Sequence, residues 1–558
     1  MLSHFTPLLH SISPAPATAQ KRQNGARSRV PGSQIKAGGY GRRGLHYTLF
    51  LLALLMVTTT LEARTSRYRL SYYDDPATSI SIGFQVNSGT AAHVVYDVVD
   101  HGPNQGAYRL TATPALRTTY HGMDNVFVRL GGLQPATTYY FMVVDSEGAS
   151  QRFSFETTPA DNRTPLSIVA GGDSRNNRAV ARKANQLVAR LQPHFVLFGG
   201  DMTNSDTPAE WQAWLDDWQL TIGRSGRLTP IVPARGNHES SDVTIARLFD
   251  VPNPRVWYAI TFGGDLLRTY TLNTMAPAAG DQLSWLQRDL GAARTRWKIA
   301  QYHHAMRPHT AAKRERDELI GLWGTQFYRH GMNLVIESDA HTVKQTYPLR
   351  PSREAGAVEG FVRDDAQGTV YVGEGCWGAP LRPNNDDKVW TRASGQFNQF
   401  KWLWVDTRQI QVRTVRIDQS QTGGPQNVPL NRFALPAGMV FWNAPNSGEV
   451  LSVLPRGTAP PTPRPGRAPP IVRATEPTDN VLTPDANGRV RASFQLPGGG
   501  RPEVLIVGPD MKPVRKFELP ARGPGPYVEE IQLPALAPGK HELIIRYGGK
   551  LVAKYAIR

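Results

Sequence analysis

Five apolar runs, each ending in Asp, Asn or His, constrain this 558-residue chain more than any other feature of it. Leu166-Ser-Ile-Val-Ala leads into Gly-Gly-Asp173, and Phe195-Val-Leu-Phe leads into Gly-Gly-Asp201. Ile231-Val-Pro-Ala-Arg ends in Gly236-Asn237-His238-Glu239, and Trp297-Lys-Ile-Ala-Gln-Tyr ends in His303-His304. The fifth, Leu334-Val-Ile-Glu-Ser, ends in Asp339-Ala-His341. A continuous apolar run of this length reads as a strand buried on both faces. Open α/β sheets carry their chemistry beyond the carboxyl ends of such strands. Taken singly, each Asp is ordinary turn or cap chemistry and each His a satisfied surface residue. Five in succession, all at strand ends, point instead to one shared site.

The rest of the chain divides by its periodicity. From Arg67 to Pro159 the pattern has period two (Ile80, Ile82, Phe84, Val86; Val126, Val128, Leu130; Tyr140, Met142, Val144), broken by Gly, Pro, Asn and Asp. That predicts a β-sandwich over 65–159. From Pro165 strands alternate with helices. Arg178–Leu191 and Asp281–Leu290 are amphipathic at helical spacing, and Trp211, Trp214 and Trp218 form a stripe better suited to a core or lid face than to a ligand box. The expectation is a central α/β domain over 165–420, a β-sheet sandwich flanked by helices. Residues 421–471 read as an irregular, Pro-rich linker, and 472–558 return to short strands with turns, a small C-terminal β-sandwich. The fold class is thus multi-domain.

Hydrophobic content of 40% and charged content of 20% describe a folded chain long enough for several cores. Residues 1–45 lack periodicity and read as a disordered extension. Residues 46–63 follow Arg42-Arg43 and carry an apolar run ending Leu61-Glu-Ala63, the layout of a signal peptide or, uncleaved, of a membrane anchor. Export to the periplasm or the extracellular space is the expectation, with membrane contact only through that segment. The lone Cys376 excludes an intrachain disulfide and reads as packing. The formal net charge of +17 favours anionic partners, and part of it lies in residues 1–63, which hold seven Lys or Arg against one Glu. No nucleic-acid-binding motif accompanies it, so a specific nucleic-acid partner is set aside.

Asp173, Asp201, Asn237, His303, His304, Asp339 and His341 mix imidazole with carboxylate oxygen, a set suited to Zn, Fe or Mn rather than Ca. A carboxylate among them could bridge two ions about 3.5–4 Å apart. On these residues the chain resembles the calcineurin-like metallophosphoesterases, within them the purple acid phosphatase branch. Gly236-Asn-His-Glu239, Gly200-Asp201 and the strand into His303 carry the likeness, over roughly residues 65 to 420. The corner Leu133-Gln-Pro-Ala-Thr-Thr-Tyr-Tyr140 also resembles that of fibronectin type III domains, in which the Tyr locks a turn.

The resemblance implies two divalent or mixed-valence transition-metal ions. Asp173 and His341 would hold the first, Asp201 would bridge, and Asn237 and His303 would hold the second. His238 would contact the phosphate and protonate the leaving group. Three positions depart from the family pattern: Arg175 where a His is common, Asn204 where the purple branch has a metal-bound Tyr, and Asp339 where a second-metal His would stand. An aspartate still ligates, but it lowers the cluster's charge by one. Arg175, Arg307 and His309 are the residues expected to join His238 in binding substrate, the guanidiniums restoring positive charge. The reaction implied is hydrolysis of a phosphorylated small molecule by a metal-bound hydroxide. Two alternatives stay open: a phosphodiesterase or nucleotidase, and a cell-surface binding protein with a degenerate site.

Overall fold

The computed structural model describes residues 64–428, 431–457 and, with short gaps, 481–557. The extension expected at 1–45 and the signal or anchor at 46–63 lie outside the described residues, as do residues 429–430 and 458–471 of the Pro-rich linker.

The period-two segments form two antiparallel sheets. One runs in the order Thr65–Ser71, Ile80–Val86, Met123–Leu130, Leu116–Tyr120; the other is Leu110–Ala112, His93–Asp97, Thr138–Asp145, Gly148–Ala149, with Phe153–Glu156 also on Thr138–Asp145. Their alternate residues Ile80, Ile82, Phe84, Val126 and Val128 turn inward and are buried. The corner closes as its residues imply, because the Gln134 amide donates to the Tyr139 hydroxyl at 2.8 Å.

The central domain has two sheets face to face. In the first, β1 (Leu166–Gly171), β2 (Phe195–Phe198) and β3 (Ile231–Pro233) are parallel neighbours, extended on the far side of β1 by Gln399–Val405, Ile410–Arg416 and Leu451–Val453. In the second, β4 (Trp297–His304), β5 (Leu334–Ser338) and β6 (Val370–Gly373) are the parallel centre of seven strands. The continuous apolar runs are explained by two-sided burial. Ile299, Leu334, Ile336, Val370 and Val372 join the core between the sheets, whereas Ala300, Tyr302, Val335 and Tyr371 face a second core with Leu286, Leu290 and Phe327 of the outer helices. Helix α1 (Arg178–Leu191) follows β1 and α2 (Pro208–Trp218) follows β2. The Trp stripe of α2 is core: Trp214 and Trp218 stack at 5.1 Å and all three rings are buried against Phe198 or Phe249.

The carboxyl ends of β1 and β2 meet that of β5 at a seam between the sheets. A Cβ on Gly199 would lie 2.1 Å from Ser338 Oγ, so the Gly-Gly before Asp201 is what lets the two sheets close there. Five run-ends from two sheets are thereby gathered at one place.

The N-terminal sandwich shares the core that contains β1 and β2. Its Arg69 is buried and donates to the Leu248 carbonyl and to Asn125 Oδ1, both at 2.6 Å. Asp250, just after helix α3 (Asp242–Phe249), accepts from Ser81 Oγ at 2.6 Å and from both arms of Arg129 at 2.9 and 2.6 Å. The C-terminal strands build a five-stranded sheet and a separate two-stranded antiparallel sheet around their own core of Val490, Phe494, Val504, Leu543 and Ile545.

Asp250→Ala removes three charge-assisted bonds that join the sandwich to the central domain. It should lower the unfolding free energy by about 2–3 kcal/mol, read as an earlier urea midpoint, with Arg129 left partly solvated. A midpoint equal to the parent's would show that the two domains do not depend on this contact.

Candidate metal centre

Asp173, Asp201, Asp339 and His341 follow their strands in left-handed backbone, with φ of 61°, 54°, 68° and 55°. Asp tolerates that region and His does so at some cost. Backbone held there in four candidate ligands is strain of the kind that gathers at functional sites. All four side chains are buried, as is His303.

Ligand atoms of Asp173, Asp201 and His303 lie within 4.8 Å of one another, and those of His303, His304 and Asp339 do likewise. His303 Nε2 is 3.2 Å from Asp201 Oδ1, 3.1 Å from Asn237 Oδ1 and 3.6 Å from Asp339 Oδ1. His341 Nε2 is 3.2 Å from Asp173 Oδ1. The structure therefore brings together all six residues expected to hold metal, and adds His304 beside the second group.

Outer contacts set the imidazoles. His303 Nδ1 is 2.9 Å from the Gly199 carbonyl and His341 Nδ1 is 2.8 Å from the Pro380 carbonyl. A carbonyl only accepts, so each Nδ1 donates its proton there and each ring directs its Nε2 at the carboxylates. His341 Nε2 is buried with no hydrogen-bond partner. An orphaned imidazole nitrogen facing a carboxylate fits a transition-metal ion, which would take both as ligands.

The carboxylates are held by their surroundings. The Asp339 amide donates to both oxygens of Asp173 at 3.1 Å, and the His238 amide donates to Asp201 Oδ1 at 2.9 Å. Burial opposes charge on Asp339, but His303 and the ammonium of Lys313 hold its carboxyl far below the ordinary range. Burial likewise disfavours the His303 imidazolium, yet the Asp201 and Asp173 charges raise its pKa well above the usual value. Burial and the charge of His303 push His304 down to about 3, leaving a neutral ring. Glu239 closes the Gly236–Glu239 motif. It is a buried bracket that accepts from the amides of Asp201, Met202 and Gly236 at 3.0, 2.8 and 2.6 Å.

Of the substrate-binding set, two residues stand at the site. His238 Nδ1 meets the Asn204 carbonyl at 2.5 Å, which leaves Nε2 free, 3.7 Å from Asp201 Oδ2. Arg175 donates from Nη2 to Asn204 Oδ1 at 2.6 Å, while its Nε has no partner. Arg307 and His309 turn elsewhere, contrary to expectation. Arg307 is surrounded by Glu315, Asp317 and Glu359 and lines a separate cavity of about 640 Å³ with Asp317, Ile320 and Arg353. His309 is fully buried, with Nε2 2.7 Å from Thr391 Oγ1. Both lie beside a buried ionic group that apolar periodicity could not reveal: Lys344 meets Glu337 and Glu374 at 2.5 Å each.

The segment Gly373–Ala379, which carries no strand-end signal in the sequence, also borders the site. The amides of Gly378 and Ala379 donate to the Asp173 carbonyl at 3.0 and 2.7 Å, and the His341 amide donates to the Glu374 carbonyl at 2.8 Å. Cys376 is buried packing, as its surroundings in the sequence implied.

Gly375 has φ of 89°, and a Cβ on it would lie 2.3 Å from Asp173 Oδ2. Gly375→Ala should therefore displace Asp173 and cut tightly bound metal to half or less of the parent's while the N-terminal sandwich stays folded, as elemental analysis and circular dichroism would read. A second expectation concerns acid. Burial opposes charge on Glu374, but Lys344 and His309 bring its pKa down from 4.5 to about 2. A depressed acid stabilises the fold fully above its unfolded pKa, so this contribution is complete above pH 4.5 and is lost as pH falls towards about 2. Lys344→Met should cost about 3–5 kcal/mol at neutral pH by leaving two buried carboxylates uncompensated. Urea midpoints between pH 3 and 7 for both proteins, on a grid of about one pH unit, would show whether that acid-labile part belongs to this group.

Comparison with known proteins agrees with this geometry. Residues 65–157 match the model of the purple acid phosphatase N-terminal domain, and residues 170–343 match that of the calcineurin-like phosphoesterases. The structure of the purple acid phosphatase PPD1 from yellow lupin (Lupinus luteus) seeds shares the fold, with a TM-score of 0.52 and 14% identity over 67% of this chain and 76% of that one. Uncharacterised proteins from two strains of Mycobacterium tuberculosis are 24% identical over 272 residues, 40% of this chain and 50% of theirs. The chain spans about half the length of the curated relatives it matches. By these matches, residues 170–343 form a calcineurin-like phosphoesterase domain, which contains most of the candidate strand-end ligands, and residues 65–157 form a purple acid phosphatase N-terminal domain.

Proposed function

We propose that this protein is an exported phosphoesterase acting on phosphorylated small molecules through two transition-metal ions, Fe, Zn or Mn. Asp173, Asp201 and His341 would hold one ion, and Asp201, Asn237, His303 and Asp339 the other. The observation that carries this reading is the state of the two imidazoles: both Nδ1–H groups are committed to carbonyls, and both Nε2 atoms face buried carboxylates. Bound ions would supply Lewis acidity and lower the pKa of water towards about 7, giving a nucleophile at neutral pH.

The remaining work falls to the chain's own side chains. His238 is held through Nδ1, so in its imidazolium form Nε2 is the atom that would give a proton to the leaving oxygen of the ester, leaving the neutral ring with Nδ1–H on the carbonyl. Arg175 is oriented by Asn204 beside the Asp201 loop, and its guanidinium is the group suited to a phosphoryl oxygen. Asn204 is itself occupied by that arginine, so neither residue is a strong metal ligand here. Buried walls around Asp201 and Asp173 exclude bulk water and strengthen each charge contact. Export rests on the apolar run between Arg43 and Ala63.

Asp201→Asn tests the reading, because it weakens the one residue assigned to both ions. Turnover of an aryl phosphate should fall by about 10³-fold or more, and metal content should drop below one ion per chain with the flanking domains still folded. Near-parental turnover in that variant would end the two-ion reading. Running the parent on the aryl monoester and the corresponding diester separates a phosphatase from a phosphodiesterase. A well-folded parent with less than one tightly bound transition metal would favour the binding-protein alternative.

A further inference from the structure

Lys313 lies in the loop between β4 and the next helical segment, among Thr310-Ala-Ala-Lys-Arg-Glu-Arg316, a stretch that reads as solvated surface. The structure gives it another position. Its ammonium contacts Asp339 Oδ1, the same oxygen that faces His303 Nε2 at 3.6 Å. The main chain fixes that placement: the Lys313 amide donates to the Thr310 carbonyl at 3.2 Å, the Ala311 amide to Asn385 Oδ1 at 3.0 Å, and the Arg316 amide to the Met306 carbonyl at 3.1 Å. Other cations nearby are committed elsewhere. Arg382 donates to the Asp339 carbonyl rather than to its carboxylate, at 2.6 Å, and Arg175 is turned to Asn204. Among the described residues, no other Lys or Arg forms an ion pair with Asp173, Asp201 or Asp339.

An exposed ion pair of this kind contributes little. Here, however, the carboxylate is buried and belongs to a group of three acids, so the ammonium acts at short range through a medium that screens it weakly. We propose that Lys313 is the resident cation of the second metal site. It shares Asp339 Oδ1 with the ion that binds there, so it makes the second ion the weaker-held of the two, and it adds the positive charge that a phosphoryl group meets on entering. Aspartate and lysine together then carry no net charge, as a neutral imidazole in the aspartate's place would. Lys313 is a positioning residue in this account, acting on the metal through Asp339. The inference rests on the two-ion reading proposed above.

The account has a signature that mere damage to the site does not share. In metal-free protein titrated calorimetrically with Zn²⁺, Lys313→Met should leave the first binding step as it is and tighten the second by about tenfold, because a competing cation has gone. Inorganic phosphate should then bind the zinc-loaded variant about tenfold more weakly, because a positive charge has gone. Lys313→Arg should keep both steps near the parent's. The double variant Asp339→His with Lys313→Met should return both towards the parent, since it exchanges one neutral arrangement for another. A second step and a phosphate affinity both within about twofold of the parent's in Lys313→Met would overturn the inference and make the pair an ordinary surface contact. Weakening of both ligands would also overturn it, as the mark of a loop that only supports the fold. A parent that takes up no zinc at all would remove the two-ion reading and this inference with it, whereas a normal first step with an unchanged second removes the inference alone.

Discussion

Three buried carboxylates at one seam set the terms for the rest of this structure. Asp173, Asp201 and Asp339 come from two different sheets and converge where β1, β2 and β5 end. Burying even one unpaired carboxylate is costly, and burying three together adds mutual repulsion. The fold answers with amide donors to Asp173 and Asp201, with the imidazole of His303 and with the ammonium of Lys313. These offset only part of the charge. What remains is a concentrated negative field at the mouth of a dry seam, and a multivalent cation is the natural complement to it.

Such a site works only if its parts stay within a fraction of an ångström of one another, and the surrounding contacts serve that end. Glu239 ties the Asp201 loop to the Gly236 turn. Asp206 repeats the device one step outward, accepting from the Trp211 indole at 2.6 Å, from the Ser240 amide at 2.9 Å and from Thr244 Oγ1 at 3.1 Å. His121, on a hairpin of the N-terminal sandwich, reaches the same carboxylate at 3.3 Å, and Tyr120 meets Thr244 at 2.9 Å. The sandwich therefore braces the ligand loops as well as sharing their core. Behind the second sheet, Lys344 with Glu337 and Glu374 stiffens the base of the Asp339 and His341 turn in a similar way.

The sequence alone determined the elements and singled out most of the candidate ligands. Apolar runs such as Phe195–Phe198 and Leu334–Ser338 are legible because two-sided burial leaves no room for polar residues, and Arg178–Leu191 because a helix on a sheet repeats its apolar face every third or fourth residue. Asp173, Asp201, Asn237, His303, Asp339 and His341 could be read because each follows such a run directly, so that position along the chain already implies position in space. Only the tertiary structure decided what meets those ligands across the seam. Arg307 has the right chemistry for phosphate but turns to Glu315, Asp317 and Glu359, because a side chain's direction depends on neighbours distant in sequence. Lys313 carries no local signal of its place for the same reason, nor does Gly375, whose lack of a side chain matters only once Asp173 is packed against it. Local periodicity records which faces are buried; long-range closure decides which charge lies opposite which, and in this protein that closure completes the site.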